Sequence, residues 1–197
     1  LLSIIKIINQ RHKYWSIILG ICMGFGFLSK YAIIYFLILI IIFWILYDRN
    51  KVIKFYSLSN SLIITLIIIS PNIYWNIENG LSTLQHTIHN ADITGFYLNL
   101  DQALIFISSQ FIVFGPILFL IYILSVWNYF AKKLNLAILA MLSLPIIFLI
   151  LVQAFLKTAN ANWAATAYPA ACILISGLLN KKNYFLNFLI WLGILIN

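Results

Sequence analysis

Lys30 is the residue of this chain whose setting most strongly suggests a chemical role. It interrupts an otherwise apolar stretch, in the context GICMGFGFLSKYAIIYF. A charge near the hydrocarbon core of a bilayer is costly, so such a residue is interpreted first as a functional group with a partner. A cation here could bind a phosphate at the membrane surface. The alternative, which spacing alone favours, is a lysine that snorkels to the interface without a chemical role.

A second group of polar residues follows Ser70-Pro71, where we expect the proline to end a membrane span. The candidate substrate contacts in this segment are Asn72, Trp75, Asn76 and His86. For Trp75 the alternative is an interfacial aromatic belt, in which tryptophan is common.

His86 and His89 are three residues apart, so on a helix they would share one face. No third ligand stands at a diagnostic distance in the sequence, and paired histidines are common on surface helices. A divalent metal is therefore possible but unsupported, and we expect no cofactor.

Carboxylates that could act as a general base are scarce in this chain, which has four acidic residues. Glu78 and Asp92 are weak candidates, and for each of them a solvated loop charge is the alternative. The catalytic residue therefore stays unassigned.

The third polar group lies in the stretch KTANANWAATAYP. Lys157 offers a second cation, and Asn162, Trp163 and Tyr168 offer amide and aromatic surfaces suited to a sugar ring. The aromatic belt is again the structural alternative. Two asparagines beside a tryptophan favour carbohydrate or headgroup contact.

The elements that must position these residues are membrane helices. Hydrophobic residues form 64% of the 197-residue chain and charged residues only 8%, far below the quarter typical of soluble domains. Long apolar runs without strict alternation indicate helices rather than barrel strands. We predict an all-α, polytopic transmembrane bundle, a single domain over 1–197, with about seven spans: 14–28, 31–47, 56–75, 102–127, 134–156, 163–179 and 184–197.

The basic residues predict the orientation of the bundle. With two helices meeting at Lys30, ten of the twelve Lys and Arg residues fall on one side, which the positive-inside rule assigns to the cytoplasm. The outer side then holds Lys30, Lys157 and an interfacial loop over 76–101. The net charge of +8 thus reflects membrane topology, and no nucleic-acid partner is expected.

Four motifs in order carry a resemblance to a known family. GICMGFGFLSKYAIIYF, SPNIYWNIENGLSTLQH, FGPILF and ANWAATAYPAA resemble the C-terminal helical half of the family 39-type glycosyltransferases. This family includes protein mannosyltransferases and the lipid A aminoarabinose transferase. The resemblance implies the membrane half of a C-type glycosyltransferase, in the bacterial inner membrane, with its site facing the periplasm.

The resemblance also implies a reaction. Such enzymes transfer a sugar from a polyprenyl-phosphate-linked donor to a lipid, glycan or protein acceptor with inversion, while cations stabilise the departing lipid phosphate. Lys30 matches the lysine of the family's LSKY element, and we assign Lys30, Tyr31 and Lys157 to the donor phosphate. The partners implied are membrane lipid and the sugar donor.

The chain departs from the family at one point. The family's catalytic carboxylate lies in the first outer loop, and nothing in 1–197 matches that loop. We therefore expect a fragment that lacks activity by itself. A separately encoded N-terminal half is a candidate partner. The alternatives are a non-catalytic subunit or remnant of such a transferase, and an envelope lipid or sugar transporter.

Overall fold

The computed structural model describes residues 1–9, 13–46, 53–91, 98–129, 134–179 and 183–197. Within these ranges the chain is helical and holds no β-strand, which confirms the predicted all-α class. Helices satisfy their own backbone hydrogen bonds, as a lipid environment requires. The chain divides into two compact units, residues 1–90 and 91–197.

Unit 1 contains five α-helices among its described residues, of which the second and fourth are the longest. Tyr31–Ile33 forms a 3-10 turn between the second and third helices. The helices are α1 Leu2–Ile8, α2 Tyr14–Ser29, α3 Ile34–Leu46, α4 Phe55–Glu78 and α5 Ser82–Ala91.

Helices α2 and α4 run parallel and pack closely through the GxxxG pair Gly20 and Gly24. A Cβ on Gly20 would lie 2.6 Å from the carbonyl oxygen of Ser61, and one on Gly24 would lie 2.8 Å from Cβ of Ile68. Such contacts leave room for hydrogen only, so these glycines allow the two backbones to approach.

Hydroxyl groups complete the α2–α4 interface. Ser61 Oγ donates to the carbonyl of Ser16 at 2.8 Å, and Thr65 Oγ1 donates to the carbonyl of Gly20 at 3.1 Å. These bonds cross between helices and satisfy buried polar atoms where water is absent, so they fix the register of the pair.

The predicted break at Lys30 is present. Lys30 adopts extended backbone (φ −157°, ψ 120°) between the end of α2 and the 3-10 turn. Since α3 then runs back towards the start of α4, unit 1 has two distinct ends. Lys13 and Lys54 lie at one end, and Lys30 lies at the other.

The expectation that Pro71 ends a span is wrong, because α4 continues through Pro71 to Glu78. Proline lacks the N–H that would bond the carbonyl four residues back, here that of Ile67. Ser70 Oγ donates to this carbonyl at 2.7 Å. The neighbouring hydroxyl thus takes the place of the missing backbone donor, and the helix goes on for almost two further turns.

Unit 2 contains six helices among its described residues, and one predicted span is divided. A single helix over 102–127 is wrong: the chain bends by 106° at Gly115, whose φ is +84°. Glycine tolerates this backbone, and the following proline disfavours helix at the residue before it. The helices are α6 Leu100–Phe114, α7 Pro116–Tyr129, α8 Leu134–Met141, α9 Leu144–Leu156, α10 Tyr168–Ser176 and α11 Tyr184–Ile196.

Two further predicted segments are less regular than expected. A turn at 142–143 separates α8 from α9, and Ser143 Oγ donates to the carbonyl of Leu139 there. The segment predicted to begin at 163 is preceded by a 3-10 helix, Ala161–Ala167. The core of this unit contains Tyr122, Ile146 and Leu174, all fully buried.

The span count of seven stays a prediction. In the described part of the chain, two helices are long and apolar enough to cross a membrane: Phe55–Glu78, and Leu136–Leu156 across the α8–α9 turn. The bent α6–α7 pair would make a third, and Tyr14–Ser29, Tyr31–Leu46 and Tyr184–Ile196 are shorter apolar helices.

Candidate functional site

The first candidate site lies at the Lys30 end of unit 1. Tyr31 follows Lys30 directly, and its hydroxyl donates to Oδ1 of Asn72 on α4 at 3.3 Å. The ring of Phe27 packs on Tyr31 with 4.8 Å between centroids. The bond joins residues 41 positions apart, so the α2–α3 junction is tied to the end of α4.

Asn76 extends this contact one turn further. Its Nδ2 donates to the carbonyl of Asn72 at 2.9 Å and to Asn72 Oδ1 at 3.3 Å. Its Oδ1 accepts from the backbone N–H of Thr83 at 3.3 Å, and only 8% of the residue is exposed. A buried amide thus connects α4 with the start of α5.

The Tyr31–Asn72–Asn76 chain of hydrogen bonds gives this end of the unit a fixed polar surface. Lys30 itself is exposed, and Tyr31 and Asn72 are half-buried. The Tyr31 hydroxyl and the Asn76 amide group already donate to Asn72, which leaves Lys30, the residue before Tyr31, as the cation suited to phosphate oxygens.

Among the other predicted residues of this unit, Glu78 lies on a different side of α4 from Asn76. Glu78 accepts a hydrogen bond from Tyr74 four residues earlier on an exposed side of α4. At 100° per residue, that side is turned by about 200° from Asn76. Trp75 is 51% exposed, and His86 lies exposed on α5. Asp92 lies outside the described residues.

A metal centre gains no support from the described residues. Among them, no group of three or more His, Cys, Asp or Glu side chains lies close enough to hold an ion. His86 and His89 therefore lack the third ligand that a typical zinc site needs within this part of the chain.

The second candidate site lies in unit 2, where α9 ends and the 3-10 helix begins. Lys157 is half-buried at the C-terminal end of α9. Asn162 is exposed on the 3-10 helix, and Trp163 beside it is half-buried. The backbone N–H of Trp163 donates to the carbonyl of Asn160 at 3.0 Å. Tyr168 begins α10.

Gln110 holds this second group in place, and the sequence reasoning missed it. It lies on α6 with 1% of its surface exposed, and its Oε1 accepts from the hydroxyl of Tyr168. Its Nε2 lies 3.0 Å from Ser109 Oγ, 3.2 Å from the carbonyl of Phe106 and 3.4 Å from that of Ala161. One amide thus ties α6 to both ends of the 3-10 helix.

A sequence signal for Gln110 existed. It is an amide within the apolar run FISSQFIVF, and a polar side chain inside a membrane segment suggests a hydrogen-bonded or functional position. A search for charged residues in the apolar segments misses Gln110, because its side-chain amide is neutral.

Comparison with known proteins shows which membrane enzymes this chain resembles. Residues 1–75 match the family described as dolichyl-phosphate-mannose-protein mannosyltransferase. That region contains the Lys30 element, the α2–α4 interface and the Asn72 contact. No solved structure matches the chain significantly.

One curated relative matches along most of the chain. It is the lipid A galacturonosyltransferase RgtD of Rhizobium johnstonii, 30% identical over 184 residues, which are 92% of this chain. The matched region is 39% of the length of the relative. Together the two matches show that the chain is related to the family 39-type membrane glycosyltransferases, as its motifs predict.

Proposed function

We propose that this chain forms part of a membrane glycosyltransferase and binds the phosphate of a polyprenyl-phosphate-linked sugar donor. The site would face the periplasm from the bacterial inner membrane. The observation that carries the proposal is the hydrogen bond from Tyr31 to Asn72 beside Lys30. The bond fixes polar side chains next to the residue that carries this cation, at one end of unit 1.

Lys30 has the central role in this proposal. In an inverting transfer, the acceptor hydroxyl attacks the anomeric carbon, the bond to the lipid phosphate breaks, and a carboxylate takes the hydroxyl proton. Negative charge grows on the departing phosphate. A preorganised ammonium group stabilises that charge most in the transition state and so increases the rate.

The remaining residues take supporting roles. Tyr31 and Lys157 are proposed to bind phosphate oxygens. The carboxylate that accepts the proton stays unassigned, because Glu78 lies on another side of α4 from the Asn72–Asn76 face. The proposed contacts to the sugar and acceptor, a lipid, glycan or protein, are Asn72, Trp75, Asn76, His86, Asn162, Trp163 and Tyr168.

The test is substitution of Lys30 in an intact enzyme that contains this chain. We expect Lys30→Met to lower kcat by about a hundredfold or more, the scale of losing one charge-stabilising group. Lys30→Arg should recover part of the rate, since it restores charge with different geometry. Transfer from a purified polyprenyl-phosphate sugar is the measurement.

The control is Lys181→Met, which removes the same charge from the predicted cytoplasmic loop 180–183 and should leave turnover unchanged. Near-normal turnover of Lys30→Met at equal expression would contradict the proposal. Lys30 would then be a lysine that only snorkels to the interface.

A further inference from the structure

Unit 1 contains an apolar groove at the end opposite Lys30. It has a volume of about 230 Å³ and lies between α2, α3 and α4. Met23, Ile40, Trp44 and Phe55 are among the side chains that line it. Its α4 lining extends from residue 55 to residue 65, a rise of about 15 Å along the helix.

These dimensions suit part of a hydrocarbon chain. An apolar cavity of about 150 Å³ suffices to bind benzene, so a volume half as large again can hold several methylene groups. In a bilayer an acyl chain can also remain among other lipid tails, which are as apolar as the groove. Selective binding therefore needs a second interaction, at the headgroup.

Two lysines lie at the same end of unit 1 as the start of α4, where Phe55 lines the groove. Lys54 directly precedes Phe55, and Lys13 directly precedes α2 with its Nζ 5.8 Å from the ring centroid of Tyr56. Both lysines are exposed, and neither α2 nor α4 has an acidic residue in its first turn. Because α2 and α4 are parallel, the positive ends of both helix dipoles also lie here.

We propose that this groove binds an acyl chain of an anionic phospholipid whose headgroup phosphate lies between Lys13 and Lys54. The charge at this end of the unit decides the occupant, because a lipid with a net negative charge offsets both cations, whereas a zwitterionic lipid brings a cation of its own together with its phosphate. By the distribution of basic residues, this is a lipid of the cytoplasmic leaflet. The site is separate from the proposed donor site at Lys30, and the inference does not depend on glycosyl transfer.

Native mass spectrometry of the purified chain in detergent tests the proposal. Phosphatidylglycerol and phosphatidylcholine with identical acyl chains are added at equal concentration, and the bound fraction of each is measured. We expect a several-fold preference for phosphatidylglycerol. The double variant Lys13→Gln/Lys54→Gln should lose that preference, and the control Lys181→Gln/Lys182→Gln, also in a predicted cytoplasmic loop, should keep it.

A second variant tests the groove itself. Ser59 lines it, so Ser59→Phe should fill the cavity and reduce retention of both lipids. Ile112→Phe is the matched control, since Ile112 lies in unit 2 with 79% of its surface exposed. Equal binding of the two lipids, an unchanged preference in the Lys13/Lys54 double variant, or full retention in Ser59→Phe would each overturn the proposal.

Discussion

The Gln110–Tyr168 pair should contribute measurably to the stability of unit 2. Gln110→Leu removes a buried amide that bonds four groups and leaves the Tyr168 hydroxyl without its acceptor. Leaving a buried polar group unsatisfied costs about 1–3 kcal/mol. We expect the free energy of unfolding, measured by detergent-induced unfolding, to fall by that amount.

A double-mutant cycle isolates the Gln110–Tyr168 contact from the other bonds. With Tyr168→Phe as the second change, we expect a coupling energy of about 0.5–1.5 kcal/mol, the usual scale for side-chain hydrogen bonds between membrane helices. Gln102→Leu makes the same chemical change on the same helix and should show no coupling to Tyr168→Phe. Strictly additive losses for Gln110 and Tyr168 would contradict this prediction.

The sequence identified most of the candidate site residues by their type and position, but it did not identify their hydrogen-bond partners. Lys30, Tyr31 and Asn72 are candidates by position in the sequence. That Tyr31 reaches Asn72 could not be predicted, since it depends on the parallel packing of α2 and α4 across 41 residues. Glu78 shows the converse, because its separation from Asn76 depends on α4 remaining helical beyond Pro71.

At the scale of elements, the α2–α4 interface should be sensitive to one methyl group. In Gly20→Ala the new Cβ would lie 2.6 Å from the Ser61 carbonyl oxygen, a backbone atom that can move only with its helix. Overpacking of this kind costs about 1–3 kcal/mol. We expect a matching loss in the free energy of unfolding, again measured in detergent.

Gly26→Ala is the matched control on the same helix. Its Cβ would meet Cγ1 of Ile33 at 3.1 Å, a side-chain atom that can shift by a few tenths of an ångström. The variant should therefore be much less destabilised than Gly20→Ala. Equal stability of the two variants would show that α2 and α4 do not approach each other this closely.

Helix breaks were harder to predict than helices. Apolar content and the break at Lys30 were evident from composition and charge. Pro71 and Pro116 are both prolines in apolar surroundings, yet only the second marks a break. The difference is local: Ser70 supplies a replacement donor at the first, and Gly115 supplies a positive-φ residue at the second.

At the scale of the whole molecule, the distribution of basic residues predicts which loops share a side. Loops 48–55, 128–133 and 180–183 should be cytoplasmic, and loops 76–101 and 157–163 periplasmic. Single cysteines at positions 90 and 132, in a variant with Cys22 and Cys172 changed to serine, can be labelled with an impermeant thiol reagent. We expect labelling of position 90 from outside only, and of position 132 only after the membrane is permeabilised.

Labelling of both positions from the same side would contradict this topology. A cysteine at position 182 serves as the control, because its loop is predicted to be cytoplasmic together with position 132. If positions 132 and 182 differ in accessibility, the error lies in the segments between them rather than in unit 1.

The 106° bend at Gly115 affects whether the chain crosses the membrane an odd or an even number of times. A helix pair bent beyond a right angle advances along the bilayer normal by little more than its first arm. If the pair crosses the bilayer, every later loop lies on the opposite face of the membrane from where it would lie if the pair did not cross. Lys132 and Lys133 follow the second arm directly, and their charge opposes translocation. By the positive-inside rule, these two lysines predict that the bent pair crosses the bilayer once, which agrees with the predicted seven spans.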